Sequence, residues 1–322
     1  MELNKELLKD LYMIDHPSGS EHEMITFILN YCYKIPNVRL EIDHYNNLFI
    51  TKNTNNPETY PCLIAHMDQV QTNTGRYEIH ESNGVIYGLH KLTKTRCGIG
   101  ADDANGICVA LQMLEVIPDL KVIFTVEEEI GAKGAEEVCF NTDFLYNIRY
   151  FLQADRRGAS DLIVHTNGID VASEEFVADL KPLMDEYKYK ENFGTYTDVG
   201  EIVSETGISG VNISCGYMKE HTSNEHCIIA DLENCLNFIY SIITTLDPNK
   251  KYPIKIDPKY YNYTGYNFDW EPASTAVKDY AEYEGPTEDD SYPKEYNPYS
   301  DDIPCNSCRE MDCMNCPHMN DF

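Results

Sequence analysis

Cys62-Leu63-Ile64-Ala65-His66-Met67-Asp68 and Lys121-Val122-Ile123-Phe124-Thr125-Val126-Glu127-Glu128-Glu129 share one plan. Each is a short apolar run followed at once by polar or acidic residues. A run of four to eight apolar residues reads as a buried strand. Between them, Asp103–Val116 reads as a helix. Strand, helix, strand in this order is the unit of a parallel sheet. Further strands are expected at Tyr150–Gln153, Leu162–His165 and Val211–Ser214, with helices at Leu3–Ile14, Ser173–Tyr187, Val199–Thr206 and Ala230–Thr245. Ser20 followed by Glu23 predicts a capping box for a helix running on to Tyr33. Arg39–Asp43 and Asn47–Thr51 read as paired strands around an Asn-containing turn. The expected fold class is α/β, a three-layer, doubly wound, mostly parallel sheet flanked by helices, with an irregular C-terminal arm.

The chain has 322 residues, of which 42% are hydrophobic, so a sizeable core is available. Its formal net charge of −29 repels phosphate backbones and anionic headgroups, which argues against nucleic acid or a membrane surface as partner. No stretch approaches the roughly 20 apolar residues of a membrane span. The opening Met1-Glu2-Leu3-Asn4-Lys5-Glu6 has no signal pattern, so a cytoplasmic location with reduced cysteines is expected. The alternation of helix and strand ends near Asp247, which bounds an expected catalytic domain at residues 1–247. Residues 248–302, rich in Tyr, Pro and acidic side chains, read as a linker or arm, and residues 303–322 as a separate tail.

Polar groups with ligand chemistry recur where the strands end. His66 follows the first strand, Glu128 and Glu129 the second, and Asp155 the third; Asp102 precedes a helix, and His221 lies in a loop after Val211–Ser214. Open parallel sheets bind ligands at the carboxyl ends of their strands, so these groups fall on one edge of one sheet. Two divalent ions need a shared carboxylate, further nitrogen and oxygen ligands, and room for water. An adjacent Glu pair can place one carboxylate on a metal and leave the other as general base. Asp68, two residues after His66 in an extended segment, points to the same side and can accept a hydrogen bond from the imidazole. Taken singly, each of these motifs is commonplace; their order and shared position carry the argument.

That order resembles the co-catalytic di-zinc exopeptidases, a superfamily of peptidase T-like tripeptidases, zinc aminopeptidases and N-acyl amino-acid deacylases. The resemblance runs from about Leu7 to Leu246. It rests on Pro17-Ser18-Gly19-Ser20-Glu21, Ala65-His66-Met67-Asp68, Gly100-Ala101-Asp102-Asp103, Glu128-Glu129-Ile130-Gly131, Gln153-Ala154-Asp155 and His221-Thr222-Ser223-Asn224-Glu225. It implies that Asp102 bridges two zinc ions (or other divalent ions such as cobalt or manganese), with His66 and Asp155 completing one site and Glu129 and His221 the other. Glu128 would be the general base and Asp68 would orient His66. A cis Asp102–Asp103 peptide is a further implication. The expected substrate is a small peptide cleaved by metal-activated water. An N-acyl amino acid, cleaved by an amidase of the same superfamily, stays open, as does a non-catalytic binding protein on the same fold. The interval from Asp155 to His221 is already filled by predicted elements, so no lid domain is expected between them. Arg156 and Arg157, next to Asp155, are candidates for a substrate carboxylate, although a surface-loop role is the commoner one for such a pair.

Twelve cysteines divide into eight scattered ones that read as core residues and the cluster Cys305, Cys308, Cys313 and Cys316. Two Cys-x-x-Cys pairs resemble a four-cysteine structural zinc knuckle, with His318 as a substitute ligand. An iron–sulfur cluster or no metal at all are the alternatives.

Overall fold

The structure, a computed structural model, describes residues 1–70 and 77–255. The arm beyond residue 255 and the tail cysteines Cys305, Cys308, Cys313 and Cys316 lie outside the described residues. The chain begins with α1 (Lys5–Tyr12), α2 (His22–Cys32), the hairpin β1 (Val38–Ile42) and β2 (Leu48–Asn53), and β3 (Tyr60–His66). There follow β4 (Tyr77–Ser82), β5 (Val85–His90), β6 (Arg96–Cys97), α3 (Ala101–Val116) and β7 (Asp119–Thr125). The middle of the chain forms α4 (Lys133–Val138), α5 (Thr142–Leu145), β8 (Ile148–Arg156), β9 (Asp161–Thr166), β10 (Ile169–Asp170), α6 (Glu174–Tyr187), β11 (Lys190–Gly194) and α7 (Asp198–Thr206). It closes with β12 (Gly210–Ser214), β13 (Tyr217–Met218), β14 (His226–Ile228) and α8 (Ile229–Thr245).

Nine strands form the main sheet in the order β1-β2-β7-β3-β8-β12-β9-β10, with β11 paired to β9. Its centre, β7-β3-β8-β12, is parallel, while the β1–β2 hairpin joins one side antiparallel and β9 the other. Successive side chains of a strand face opposite sides, and the core follows that rule. Leu63, Ala65, Val122 and Phe124 pack into one apolar cluster with α1, α2, α3, α6 and α8. Cys62, Ile64, Ile123 and Phe151 pack into a second with α4, α5 and α7. Helix, sheet, helix is the three-layer α/β arrangement that the strand pattern predicts.

Two features depart from the sequence reading. The predicted capping box is not formed: α2 starts at His22 behind Glu21, and no side chain caps it. Glu21 instead accepts from the Gly19 and Glu127 N–H groups, so the acid serves a distant loop. A second, five-stranded sheet of β13-β14-β5-β4, with β6 on β5, was also not read from the sequence. Its strands are short and partly exposed, so they carry little apolar pattern. It matters because it anchors the loop that contains His221.

Between Asp155 and His221 the chain builds β9–β13, α6 and α7, all part of the two sheets or packed on them. No separate lid folds in this interval. Past Asp247 the chain stays on the domain as far as it is described. Pro253 bridges Ile208, and the buried Tyr252 ring lies 4.7 Å from that of Phe176 while its hydroxyl donates to Asp179.

Candidate active site

The carboxyl ends of β3, β7 and β8 bring His66, Glu128, Glu129 and Asp155 together, and the start of α3 and the 219–225 loop add Asp102 and His221. Asp102 is central. Its Oδ1 lies 3.0 Å from His66 Nε2 and its Oδ2 3.4 Å from His221 Nε2, one imidazole on each carboxylate oxygen. His66 Nε2 is also 3.7 Å from Asp155 Oδ1, and His221 Nε2 is 2.7 Å from Glu129 Oε1. The ligand-capable atoms of Asp102, Glu129 and His221 lie within 4.8 Å of one another, as do those of His66, Glu128 and Glu129, and of His66, Asp103 and Asp155. Asp103 is already engaged, accepting from the His66 and Gly106 N–H groups. The Asp102–Asp103 peptide is cis.

Asp68 does more than face the imidazole. His66 Nδ1 lies 3.0 Å from the Asp68 carbonyl and 3.3 Å from its Oδ1. The same carboxylate accepts from Ser18 Oγ at 2.6 Å, from the Glu128 N–H at 2.9 Å and from the Glu129 N–H at 3.1 Å. One buried side chain therefore ties His66 to the backbone of both glutamates. Burial works against its charge, but His66 and Ser18 hold the carboxyl below the ordinary aspartate range. This also explains Pro17–Glu21, whose Ser18 and Glu21 brace Asp68 and the Glu127 backbone.

Asp155 is held from several sides. Gln153 donates to its Oδ2 and Tyr217 OH to its Oδ1, at 3.0 and 3.2 Å. Asn212 pairs with its backbone, accepting from the N–H and donating to the carbonyl. Sequence reasoning missed Tyr217, Asn212 and also Thr197, whose hydroxyl donates to Gln153 Oε1 at 2.9 Å; Gln153, in the quoted Gln-Ala-Asp motif, offered a signal. It also missed Glu225, which stands four residues after His221 and accepts from the N–H groups of Ile99, Gly100 and Asp102.

The cleft over these residues has a volume of about 290 Å³ and is lined by Arg156, Arg157, Thr195, Tyr196 and Glu220 as well as the central groups other than His66. Arg156 and Arg157 thus face the cleft, paired with Asp161 at 3.3 Å and Glu220 at 2.8 Å. Tyr196 OH reaches across to the Gly131 carbonyl.

The donor set fits a pair of divalent cations. Four carboxylates and two imidazoles crowd together, with His66, Asp102 and Asp155 buried. Burial, then the charge of Asp102, pushes the Asp155 carboxyl up to about 7. Burial, with Asp155, Asp198 and Asp102 adding to it against the pull of His66, pushes Glu128 up to about 10. So many buried acids cannot all ionise without added positive charge. Mixed imidazole and carboxylate donors suit zinc and similar ions.

Comparison with known proteins agrees with the fold. A tripeptidase from Staphylococcus aureus superimposes with a TM-score of 0.61 at 17% identity, covering 76% of this chain and 98% of that one. An aminopeptidase from the archaeon Desulfurococcus kamchatkensis gives 0.58 at 18% identity over 76% and 95%. A chain named endoglucanase from Thermotoga maritima gives 0.53 at 15% identity over 73% and 96%. At such identities the likeness is one of fold. No curated protein sequence matches the chain. Among the described residues no helix is long and apolar enough to cross a membrane. The family comparison reaches further than the fold: the model of peptidase family M28 matches residues 47–228, more than half of the chain and every one of the six central side chains. The chain belongs to peptidase family M28 and is a metal-dependent peptide-bond hydrolase.

Proposed function

We propose that this peptidase is a two-metal exopeptidase acting on short peptides. The observation that carries the reading is Asp102, whose two oxygens each face a different histidine. His66, Asp155 and one Asp102 oxygen would hold one ion; Glu129, His221 and the other oxygen would hold the second. Zinc suits these donors, with cobalt or manganese as substitutes. Bound there, the ions supply Lewis acidity to the scissile carbonyl and lower the pKa of the attacking water. Glu128, carried on a backbone fixed by Asp68, takes a proton from that water onto its carboxylate. It then delivers the proton to the leaving amine nitrogen as the C–N bond breaks. The test is a metal count on the full chain together with digestion of a peptide library. Two ions in the main domain and release of terminal residues support the reading. Hydrolysis of N-acyl amino acids without cleavage of free-amine peptides would move it to the deacylases.

Arg157 is the proposed anchor for the substrate's carboxylate. It lines the cleft, its guanidinium is well exposed, and its partner Glu220 engages one edge of the fork. Arg157→Ala should raise KM for a free tripeptide roughly tenfold, about 1.4 kcal/mol. KM for the same peptide amidated at its C-terminus should not change. An equal effect on both peptides removes Arg157 from carboxylate recognition.

The tail is proposed as a separate structural zinc site of Cys305, Cys308, Cys313 and Cys316, for a total of about three ions per chain. Cys305→Ser with Cys308→Ser should remove one ion and spare hydrolysis. A mild chelator should strip the main site first, since four thiolates bind zinc more tenaciously than mixed oxygen and nitrogen donors. Activity lost in step with the tail ion would refute this separation. Eight cysteines among the described residues are free thiols, consistent with the cytoplasmic location we propose.

A further inference from the structure

We propose that Glu225 is a positioning residue for Asp102, holding its backbone in place and adding negative charge behind the metal pair. The inference rests on the two-metal reading above. Glu225 Oε2 accepts from the Ile99 N–H at 2.7 Å and the Gly100 N–H at 2.9 Å, and Oε1 from the Asp102 N–H at 3.3 Å. The residue is only 2% exposed. Among the described residues no Lys or Arg lies within ion-pair distance of it. A buried carboxylate without a cation is costly unless several N–H groups solvate it. Gly100 supplies that geometry. Its φ of +63° lies in the left-handed region, which turns the N–H groups around it towards one point. An added Cβ there would meet the Gln69 side chain.

A neutral acceptor could satisfy one or two of these donors. Only a carboxylate offers two acceptor atoms and a charge. The charge favours cations at Asp102, whose N–H is one of the three donors. The location couples the two histidine sides of the site. Glu225 ends the loop that begins near His221, and β14 next to it is fixed to β5 through the pairing of His226 with Tyr87. Arg96, stacked 4.3 Å over Tyr87, reaches towards the carbonyls of Asn224 and Glu225. The loop carrying His221 thus grips the loop carrying Asp102 through one side chain.

Glu225→Gln tests this selectively. A glutamine can keep its oxygen on Ile99 and Gly100, but its NH₂ then faces the Asp102 N–H, donor against donor. The full chain is titrated with Co²⁺ and its visible spectrum recorded; a thiolate-to-cobalt charge-transfer band reports any binding by the tail cysteines separately. The expected result is a folded Gln variant with unchanged far-UV circular dichroism. Its main-site Co²⁺ affinity should fall about 10–100-fold, the usual cost of losing a group that holds a ligand, and its ligand-field bands should move. Glu225→Asp keeps the charge with a shorter reach and should fall between the Gln variant and wild type. If the Gln variant does not fold, the Asp variant decides: weakened Co²⁺ binding supports the role and wild-type binding overturns it. Wild-type spectrum and affinity in folded Gln and Asp variants would overturn the inference alone. Failure of the wild-type chain to bind Co²⁺ at its main site would overturn the two-metal reading and this inference together.

Discussion

Glu128→Gln will leave the protein folded and its main-domain metals bound while lowering kcat by about 10²–10⁴-fold, the range typical of losing a general base. The fold should tolerate the change because Glu128 is tied to its surroundings through its backbone. Its N–H donates to Asp68 Oδ1, and its carbonyl accepts from Gly131 and Ala132. The side chain is buried beside Asp155, Asp198 and Asp102, a setting that disfavours its charge and accommodates a neutral isostere. Glutamine keeps the shape and cannot accept the proton. KM should change little, since the loss falls on the transition state. Metal analysis and steady-state kinetics on the same preparation check both halves. Unchanged turnover removes Glu128 from the mechanism; loss of metal along with turnover makes it a ligand.

Asp102→Ala should have the broader effect, disturbing both ions at once and lowering turnover by more than the roughly 10–100-fold that accompanies loss of a supporting side chain. The reason is geometric: each oxygen of Asp102 faces a different histidine. His221→Ala makes the contrast. His221 sits at the cleft mouth with its side chain 44% exposed, and among the described residues it pairs with Glu129 and one oxygen of Asp102. Its loss should weaken one ion more than the other. Metal stoichiometry under a chelator titration separates the two variants. A full metal complement and normal hydrolysis in Asp102→Ala would end the two-metal reading. The metal-free protein should lose stability near neutral pH in this variant, because His221 and His66 hold the Asp102 carboxyl below the ordinary aspartate range against its burial, and both imidazoles lose that partner.

Most of the central site could be read from the sequence because its residues sit at positions set by local rules. The apolar runs end at Ala65 and Val126, and the side chains that follow must emerge at the carboxyl edge of the sheet. Asp102 was legible because it opens a helix within a motif, and Gln153-Ala154-Asp155 because it closes a strand. The supporting residues were much less legible. Asp68 was expected to serve His66, whereas it also fastens Glu128 and Glu129, sixty residues away, through their backbone N–H groups. Ser20 and Glu23 looked like a capping box, which does not form, while Glu21 beside them accepts from the distant Glu127 N–H.

By itself the sequence determined the alternation of strand and helix, the parallel centre of the sheet and the six side chains that meet at its edge. These follow from periodicity and chain direction, which act over a few residues at a time. The tertiary structure alone decided the second sheet, the turning of Arg156 and Arg157 into the cleft and the clamp of Glu225 on the Asp102 loop. Each of those depends on pairing between distant segments, such as β14 with β5. Such contacts are chosen by how buried N–H and C=O groups find partners once the core has closed, and no local pattern records that choice.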